Sequence, residues 1–260
     1  MKHRGYLFYA GLILTVLYMA SVIIPLVLVS PADGYAEVLS NPLFSRSLAN
    51  TAVLVLLLFV PVSVLAFFIA YIGRRMKHSL ILYAVLLLPF LIPTVSAAAV
   101  WQKIVPIYSS VDSLIPLGDD SAALLSFCVL YLWKYLGVYV LINRVSLDSV
   151  PDVFFEEATV CGAKNGDIIG HIIIPMLVPT FVFEAFITVF FYFGTVNDSF
   201  VLFGRYPPSS VFGIAQYLSN TIDVGGVNIA LVSTQVYVLA FVLIMLMSLL
   251  IRRKAAKNET

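Results

Sequence analysis

Long apolar stretches, separated by short polar segments, dominate the sequence. Each is about 20 residues or longer, which is the length that an α-helix needs to cross the hydrocarbon core of a bilayer. Only 11% of the residues are charged, against roughly a quarter in soluble domains. The sequence therefore predicts an all-α, polytopic membrane protein with six transmembrane helices in one domain over residues 1–260. The predicted spans cover about 6–29, 48–72, 80–100, 122–142, 171–194 and 228–251.

The first apolar stretch follows a basic segment, as the apolar region of a signal peptide does. It is longer than the roughly 7–15 residues of such a region and has no clear small-residue cleavage site after it. We therefore expect it to be retained as the first membrane helix. In the third span, Pro89 and Pro93 interrupt an otherwise apolar run, and Trp101 is expected at a membrane–water interface.

Basic residues predict the orientation of the chain. Eleven of the fifteen Lys and Arg residues lie on the side of the two termini and of the segment 143–170, whereas Arg46, Lys103 and Arg205 lie on the opposite side. Because cytoplasmic segments carry the excess of Lys and Arg, both termini and the segment 143–170 are predicted to be cytoplasmic.

The segment 143–170 is the longest polar interruption between two spans. Ser149 suits a helix N-cap, and a short helix over about 151–161 follows from it. Gly162 supplies a turn, and Asn165 or Asp167 suits the start of a second short helix. We expect two short helices at an angle outside the bilayer, and an ordinary solvated loop is the alternative. The first helix carries an apolar strip of Val153, Phe154, Ala158 and Cys161.

The spacing of residues in this segment resembles the coupling loop, or EAA loop, of importer-type ABC transporter permeases. Glu156 opens the motif, and Glu157 and Ala158 follow it. Three residues separate Ala158 from Gly162, and nine residues separate Gly162 from Ile172–Pro175, which closes the motif. Two positions depart from the family pattern: Glu157 replaces an Ala, and Ile174 replaces a Leu. Further matches indicate the carbohydrate branch of the family, the maltose or glycerol-phosphate type; they are Trp133, Gly137, Pro151, Pro179 and the segment 193–198. The Gly-Gly-Pro element frequent in that branch is absent, and residues 204–208 stand near its place.

The resemblance implies a permease subunit of an ATP-driven importer in a prokaryotic cell membrane. Glu156, Glu157, Ala158 and Gly162 would then form the surface that couples to a cytoplasmic dimer of ABC ATPase subunits. The other implied partners are a second permease chain, usually a different one, an extracytoplasmic solute-binding protein and membrane lipid. Nucleic acid is not an expected partner. The cargo would be a small solute, namely a sugar or polyol.

The chain itself has no motif for catalysis. It lacks a phosphate-binding Gly-Lys-Ser/Thr loop, a Gly-x-Ser-x-Gly element and a His-Glu-x-x-His element. Two cysteines and three histidines, widely spaced, give no metal-ligand pattern. We therefore expect no enzyme activity, no metal and no cofactor, with ATP bound and hydrolysed by the partner subunit.

Polar residues inside the predicted spans are candidates for the solute pathway, because charged groups are costly in a bilayer. Counting along the fourth and fifth spans places Lys134 and Glu184 at similar depth, so we hypothesise an ion pair between them. Tyr192, Ser233 and Gln235 suit contacts with a hydroxylated solute, and they suit hydrogen bonds between helices equally well. Two other functions stay open: an ABC permease for polyamine, phosphate or amino acid, and an autonomous ion-coupled transporter that uses Lys134 and Glu184.

Overall fold

The computed structural model describes residues 32–74, 76, 79–109, 119–223, 226 and 230–235. This part of the chain is helical and contains no strand, which confirms the all-α prediction for it. Residues 230–235 are also helical. The helices are α1 (Ala32–Ser40), α2 (Pro42–Gly73), α3 (Ser79–Leu91), α4 (Thr94–Ser109), α5 (Asp119–Asp148), α6 (Asp152–Val160), α7 (Asn165–Gly194), α8 (Val196–Phe203) and α9 (Ile214–Asp223).

Helix α2 contains the second predicted span and begins at a conventional cap. Asn41 has an extended backbone, and its side chain accepts a hydrogen bond from the backbone N–H of Leu43 at 2.9 Å. Pro42 occupies the first turn, where its missing N–H costs nothing. The helix continues through Pro61 without interruption.

The third predicted span is not one continuous helix. Helix α3 ends at Leu91, α4 begins at Thr94, and their axes differ in direction by 92°. Pro93 explains the break, because a residue that precedes proline is disfavoured in the helical region of backbone space. Trp101 is buried and stacks on Trp133 with ring centroids 5.7 Å apart, and its place at a membrane–water interface stays a prediction. The predicted span over 80–100 is therefore divided into two helices that meet at a sharp bend.

Three of the described helices, α2, α5 and α7, are long and apolar enough to cross a membrane, and the bent pair α3–α4 would make a fourth if it counts as one span. Both α5 and α7 extend into the segment 143–170 that was predicted as a loop. The predicted span 6–29 lies outside the described residues, as does the span 228–251 apart from residues 230–235. These apolar helices indicate a membrane protein.

Helix α5 lies at the centre of the described bundle and packs against α2, α3, α4 and α7. Its approach to α3 depends on a glycine, since a Cβ at Gly137 would lie 2.2 Å from the backbone oxygen of Leu86. Aromatic residues fill the interior beside it, and Tyr135 stacks on Phe191 with ring centroids 4.5 Å apart. This packing fixes the ends of α2 and α5, and those ends support the segment that follows α5.

Candidate coupling surface and buried polar clusters

The segment after α5 forms the predicted short helix and glycine turn. Helix α6 covers Asp152–Val160, and Gly162 follows with φ of +80°, a backbone conformation that residues with a Cβ rarely adopt. The backbone N–H of Ala163 donates to the oxygen of Ala158 at 3.0 Å, which closes the end of the helix. The predicted cap at Ser149 is wrong, because its hydroxyl donates to the backbone oxygen of Ser146 at the end of α5.

The second short helix begins at Asn165, one of the two predicted starts. The side chain of Asp167 accepts a hydrogen bond from the backbone N–H of Lys164 at 3.1 Å, and this bond caps the helix end. The helix does not stop before the membrane span: it continues through a π-helical turn, Ile169–Ile173, into the rest of α7. The predicted second short helix therefore leads without a break into the helix of the fifth predicted span.

The predicted coupling residues lie on an open surface. Glu156, Glu157 and Gly162 are exposed, and Ala158 is half-buried against the core. Helix α6 contains no fully buried residue. Its outward face also carries apolar side chains with large exposed fractions, 55% for Val153 and 88% for Val160.

The predicted apolar strip of α6 therefore divides into two. Ala158 packs inward together with Phe155, whereas Val153, Phe154 and Cys161 stay exposed. An exposed group of acidic and apolar side chains on a short helix is typical of a surface that binds another protein.

Ion pairs hold the start of α6 in place. Arg74, at the end of α2, has its guanidinium 2.6 Å from the carboxylate of Asp152 and 4.0 Å from that of Asp148. Arg144 pairs with Asp148 at 2.8 Å. The guanidinium of Arg74 also lies 4.6 Å from the ring centroid of Phe155.

Lys134 and Glu184 do not pair, so that hypothesis is wrong. The ammonium of Lys134 lies 3.6 Å from the carboxylate of Asp198 and donates a hydrogen bond to the hydroxyl of Thr94 at 2.6 Å. Glu184 instead accepts a hydrogen bond from the side-chain amide of Asn143. Asn143 lies nine positions along α5 from Lys134, a rise of about 13 Å at helical geometry, so the two charges lie at different levels.

Glu184 belongs to a chain of buried polar groups between α5 and α7. The hydroxyl of Thr188 donates to the backbone oxygen of Glu184 at 2.8 Å and lies 2.7 Å from the hydroxyl of Tyr139. The hydroxyl of Tyr139 lies 3.1 Å from that of Tyr131. These bonds satisfy the hydroxyls of Thr188, Tyr139 and Tyr131, which would otherwise be costly to bury.

Tyr192 belongs to a third cluster, which joins α7, α9 and α2. Its hydroxyl donates to the side-chain oxygen of Gln216 at 3.4 Å, and the backbone N–H of Gly213 donates to the same oxygen at 3.1 Å. Nearby, Thr51 accepts from the backbone N–H of Ile214 at 2.7 Å. This cluster fastens the segment before α9 to the first half of α2.

Gln235 and Ser233 lie in the last helical residues that the structure describes. The side-chain oxygen of Gln235 accepts a hydrogen bond from the hydroxyl of Tyr35 in α1, and Ser233 is fully buried. The five residues predicted to line a pathway are therefore all buried, and they lie in separate contacts. Their part in solute passage stays a prediction.

Several residues in these clusters carry polar contacts that the sequence analysis missed, namely Thr94, Asn143, Asp198 and Arg74 with its partner Asp152. Asp198 was assigned to a loop because hydropathy falls after residue 194. In the structure it lies in α8, which packs against α4, and its side chain is 1% exposed. The buried Lys134 was the available signal, since a buried charge requires a partner.

Comparison with known proteins gives three informative sequence relatives, although no family model matches the chain. The xylose/arabinose import permease protein XacH of Haloferax volcanii is 28% identical over 187 residues, 68% of this chain and 59% of that protein. The arabinooligosaccharides transport system permease protein AraP of Bacillus subtilis is 26% identical over 191 residues, 66% of this chain and 59% of that protein. The trehalose/maltose transport system permease protein MalF of Thermococcus litoralis is 26% identical over 189 residues, 68% of this chain and 63% of that protein.

Two solved structures of ABC transporters contain chains with the same fold as this chain. A chain of a bacterial ABC transporter involved in the import of the acidic polysaccharide alginate superposes with a TM-score of 0.66 at 17% identity, over 98% of this chain and 96% of that chain. The alginate transporter in complex with a periplasmic protein bound to alginate pentasaccharide gives a TM-score of 0.67 at 17% identity, over 94% and 93% of the two chains. The chain spans about three fifths of the length of the curated relatives it matches. These findings confirm the resemblance to ABC importer permeases of the carbohydrate type.

Proposed function

We propose that this chain is the membrane-spanning permease subunit of an ATP-driven ABC importer for a sugar or polyol. The observation that carries the proposal is the exposed helix α6 and its glycine turn, placed between two long apolar helices. This helix carries the motif residues Glu156, Ala158 and Gly162, and the relatives that match the chain are named as sugar import permeases. The chain supplies the pathway, and a partner subunit binds and hydrolyses ATP.

The geometry of α6 suits the transfer of movement from a partner. Its side chains Glu156 and Glu157 are exposed, and exposed Val153 and Phe154 add apolar surface that a partner would bury. The partner in this proposal is a dimer of ABC ATPase subunits on the cytoplasmic side. When those subunits close on ATP, α6 moves with them, and the membrane helices open to the other side.

A complete importer would require further chains. One permease supplies half of a pathway, so a second permease pairs with it, and a solute-binding protein delivers the cargo from outside. The solved alginate transporter includes a periplasmic protein with a bound pentasaccharide, which supports an equivalent partner here. Six spans, both termini in the cytoplasm and a place in the prokaryotic cell membrane complete the proposal.

A sugar or polyol cargo is supported by the names of the relatives, which include xylose, arabinose, trehalose and maltose. The autonomous ion-coupled alternative loses its main support, since Lys134 and Glu184 each have another partner. The relatives likewise give no support for polyamine, phosphate or amino acid cargo.

Co-purification with an ATPase subunit tests the proposal. An ABC ATPase subunit from the same organism would be co-expressed with wild-type protein and with the variants Glu156→Lys and Gly162→Pro. We expect wild type to retain the ATPase in detergent and both variants to lose most of it, because one reverses a charge on the docking face and the other cannot adopt φ of +80°.

The matched control is Asp223→Lys, which makes the same change of charge at an exposed position in α9, on the side predicted to face away from the cytoplasm. This control should retain the ATPase. Equal retention by wild type and both α6 variants would contradict the proposed role of α6. Absence of retention by wild type would contradict the importer assignment itself.

A further inference from the structure

Four charged residues form a cluster where α2, α5 and α6 meet, and we call it the arginine clamp: Arg74, Arg144, Asp148 and Asp152. Asp148, at the end of α5, lies between the two arginines, 2.8 Å from Arg144 and 4.0 Å from Arg74. Arg74 alone reaches α6, through the carboxylate of Asp152 at 2.6 Å. Within the part of the chain that the structure describes, this is the ion pair that joins α6 to another helix.

The backbone of Arg74 is fixed to α2. Its N–H donates to the oxygen of Ala70 at 3.0 Å, as the last turn of the helix requires. The preceding residue, Gly73, lies against the ring of Tyr83 in α3, where a Cβ would meet the Tyr83 hydroxyl at 2.3 Å. The guanidinium of Arg74 therefore extends from a tightly packed helix end.

On α6, Arg74 makes two contacts of different chemistry. It pairs with the carboxylate of Asp152 in the first turn, and its guanidinium lies over the ring of Phe155 one turn later, 4.6 Å from the centroid. Phe155 is also one of the two α6 side chains that pack against the core. Both contacts lie at the start of α6 and on its inner side, so Glu156 and Glu157 remain exposed.

We propose that Arg74 is a positioning residue that ties the start of α6 to the end of α2, so that a partner that displaces α6 also displaces α2. The second half of this statement rests on the proposed function, because it needs a partner that moves α6. The first half does not, and it can be tested on this chain alone.

The test measures the distance between two spin labels on the full-length protein in detergent, without any ATPase. One label is placed on Cys161, which is exposed at the end of α6, and the other on Leu80→Cys in α3, where Leu80 is 79% exposed. Cys128, which is half-buried in α5, is replaced by Ser. The variants compared are Arg74→Gln, Asp152→Asn and the double variant, with Arg144→Gln as the control because Arg144 contacts Asp148 and Tyr83 but not α6.

We expect Arg74→Gln and Asp152→Asn each to broaden the distance distribution, because the start of α6 loses its ion pair to α2 and is then held only by the packing of side chains such as Phe155 and Ala158. The double variant should give a distribution no wider than that of Arg74→Gln, because the ion pair of Asp152 is already lost when Arg74 is replaced. Arg144→Gln should leave the width unchanged.

Three results would overturn the inference: an unchanged width in Arg74→Gln, a width in the double variant equal to the sum of the single effects, or an equal broadening in Arg144→Gln. None of them depends on the ATPase. Results that contradict the role of Arg74 are therefore distinguishable from results that contradict the proposed function, because the latter would appear as a loss of co-purification with the ATPase.

Discussion

Glutamates occupy two opposite environments in this molecule. Glu156 and Glu157 lie on α6, exposed to solvent. Glu184 lies in α7 with its side chain fully buried and accepts a hydrogen bond from Asn143. The same residue type therefore lies on the solvent-exposed surface proposed to bind a partner in one region, and in the packing between helices in the other.

The difference teaches how to interpret polar residues in an apolar chain. In the interior, each charge is costly to bury, so its neighbours on other helices are fixed by the need to compensate it. On α6, water solvates the charges, and their positions are free to match another protein. Substitutions in the interior should therefore change stability, whereas substitutions on α6 should change docking.

The largest expected effect on stability comes from a substitution in the interior, at Lys134. Lys134→Met removes the partner of Asp198 and leaves a buried carboxylate, which should lower the free energy of unfolding by about 3–5 kcal/mol. Denaturant unfolding in mixed micelles measures it. The double variant Lys134→Met with Asp198→Leu should recover much of the loss, because no unpaired charge remains. A single variant as stable as wild type would show that this pair does not hold α5 to α8.

Lys134 also marks the limit of what the sequence predicts. Its position inside a membrane span was predicted from its place in an apolar run, but its partner was not, because counting along two spans gives only depth. Asp198 reaches it through the fold of α8 back onto α4, a tertiary arrangement that hydropathy does not encode. The break between α3 and α4 was not predicted either, although it follows from the backbone restriction that Pro93 places on the residue before it.

Features set by local backbone chemistry were predicted better. The turn at Gly162 and the helix start at Asn165 were both correctly placed, because a positive φ favours glycine and a polar residue suits the start of a helix. Ser149 failed as a cap since α5 extends to Asp148, and its hydroxyl bonds to the preceding turn. The exposure of Glu156 and Glu157 agrees with their place in a polar segment.

Substitution of Glu184 should give the second largest effect on stability. Glu184→Ala removes the acceptor for the Asn143 amide and a carboxyl group that fills space, and it should cost about 1–3 kcal/mol of stability. Thermal unfolding in detergent would show it as a lower midpoint. The conservative variant Glu184→Gln keeps an oxygen at the same place and should lose less. An equal loss in both variants would mean that charge, and not the hydrogen bond, is what this site requires.

Gly162 is expected to give a smaller effect, of a different origin. A Cβ there meets no atom within 4 Å, so space is not limiting, but φ is +80°. Gly162→Ala should therefore cost about 1 kcal/mol through backbone strain alone. Gly166→Ala is the matched control, because its Cβ also meets nothing within 4 Å and its φ is not positive. If both glycines respond alike in thermal unfolding, the turn is not held in the conformation described.

The smallest effect on stability should come from Glu157, the residue that departs from the family motif. Its side chain is exposed, and its backbone oxygen, which accepts from the N–H of Cys161, is unchanged in Glu157→Ala. The free energy of unfolding should therefore change by less than about 0.5 kcal/mol. Any effect should be on docking, measured as the amount of ATPase retained relative to Glu156→Ala. If Glu157→Ala destabilised the protein as much as Glu184→Ala, the division between a partner surface on α6 and a structural interior would be lost, because both glutamates would then be holding the fold.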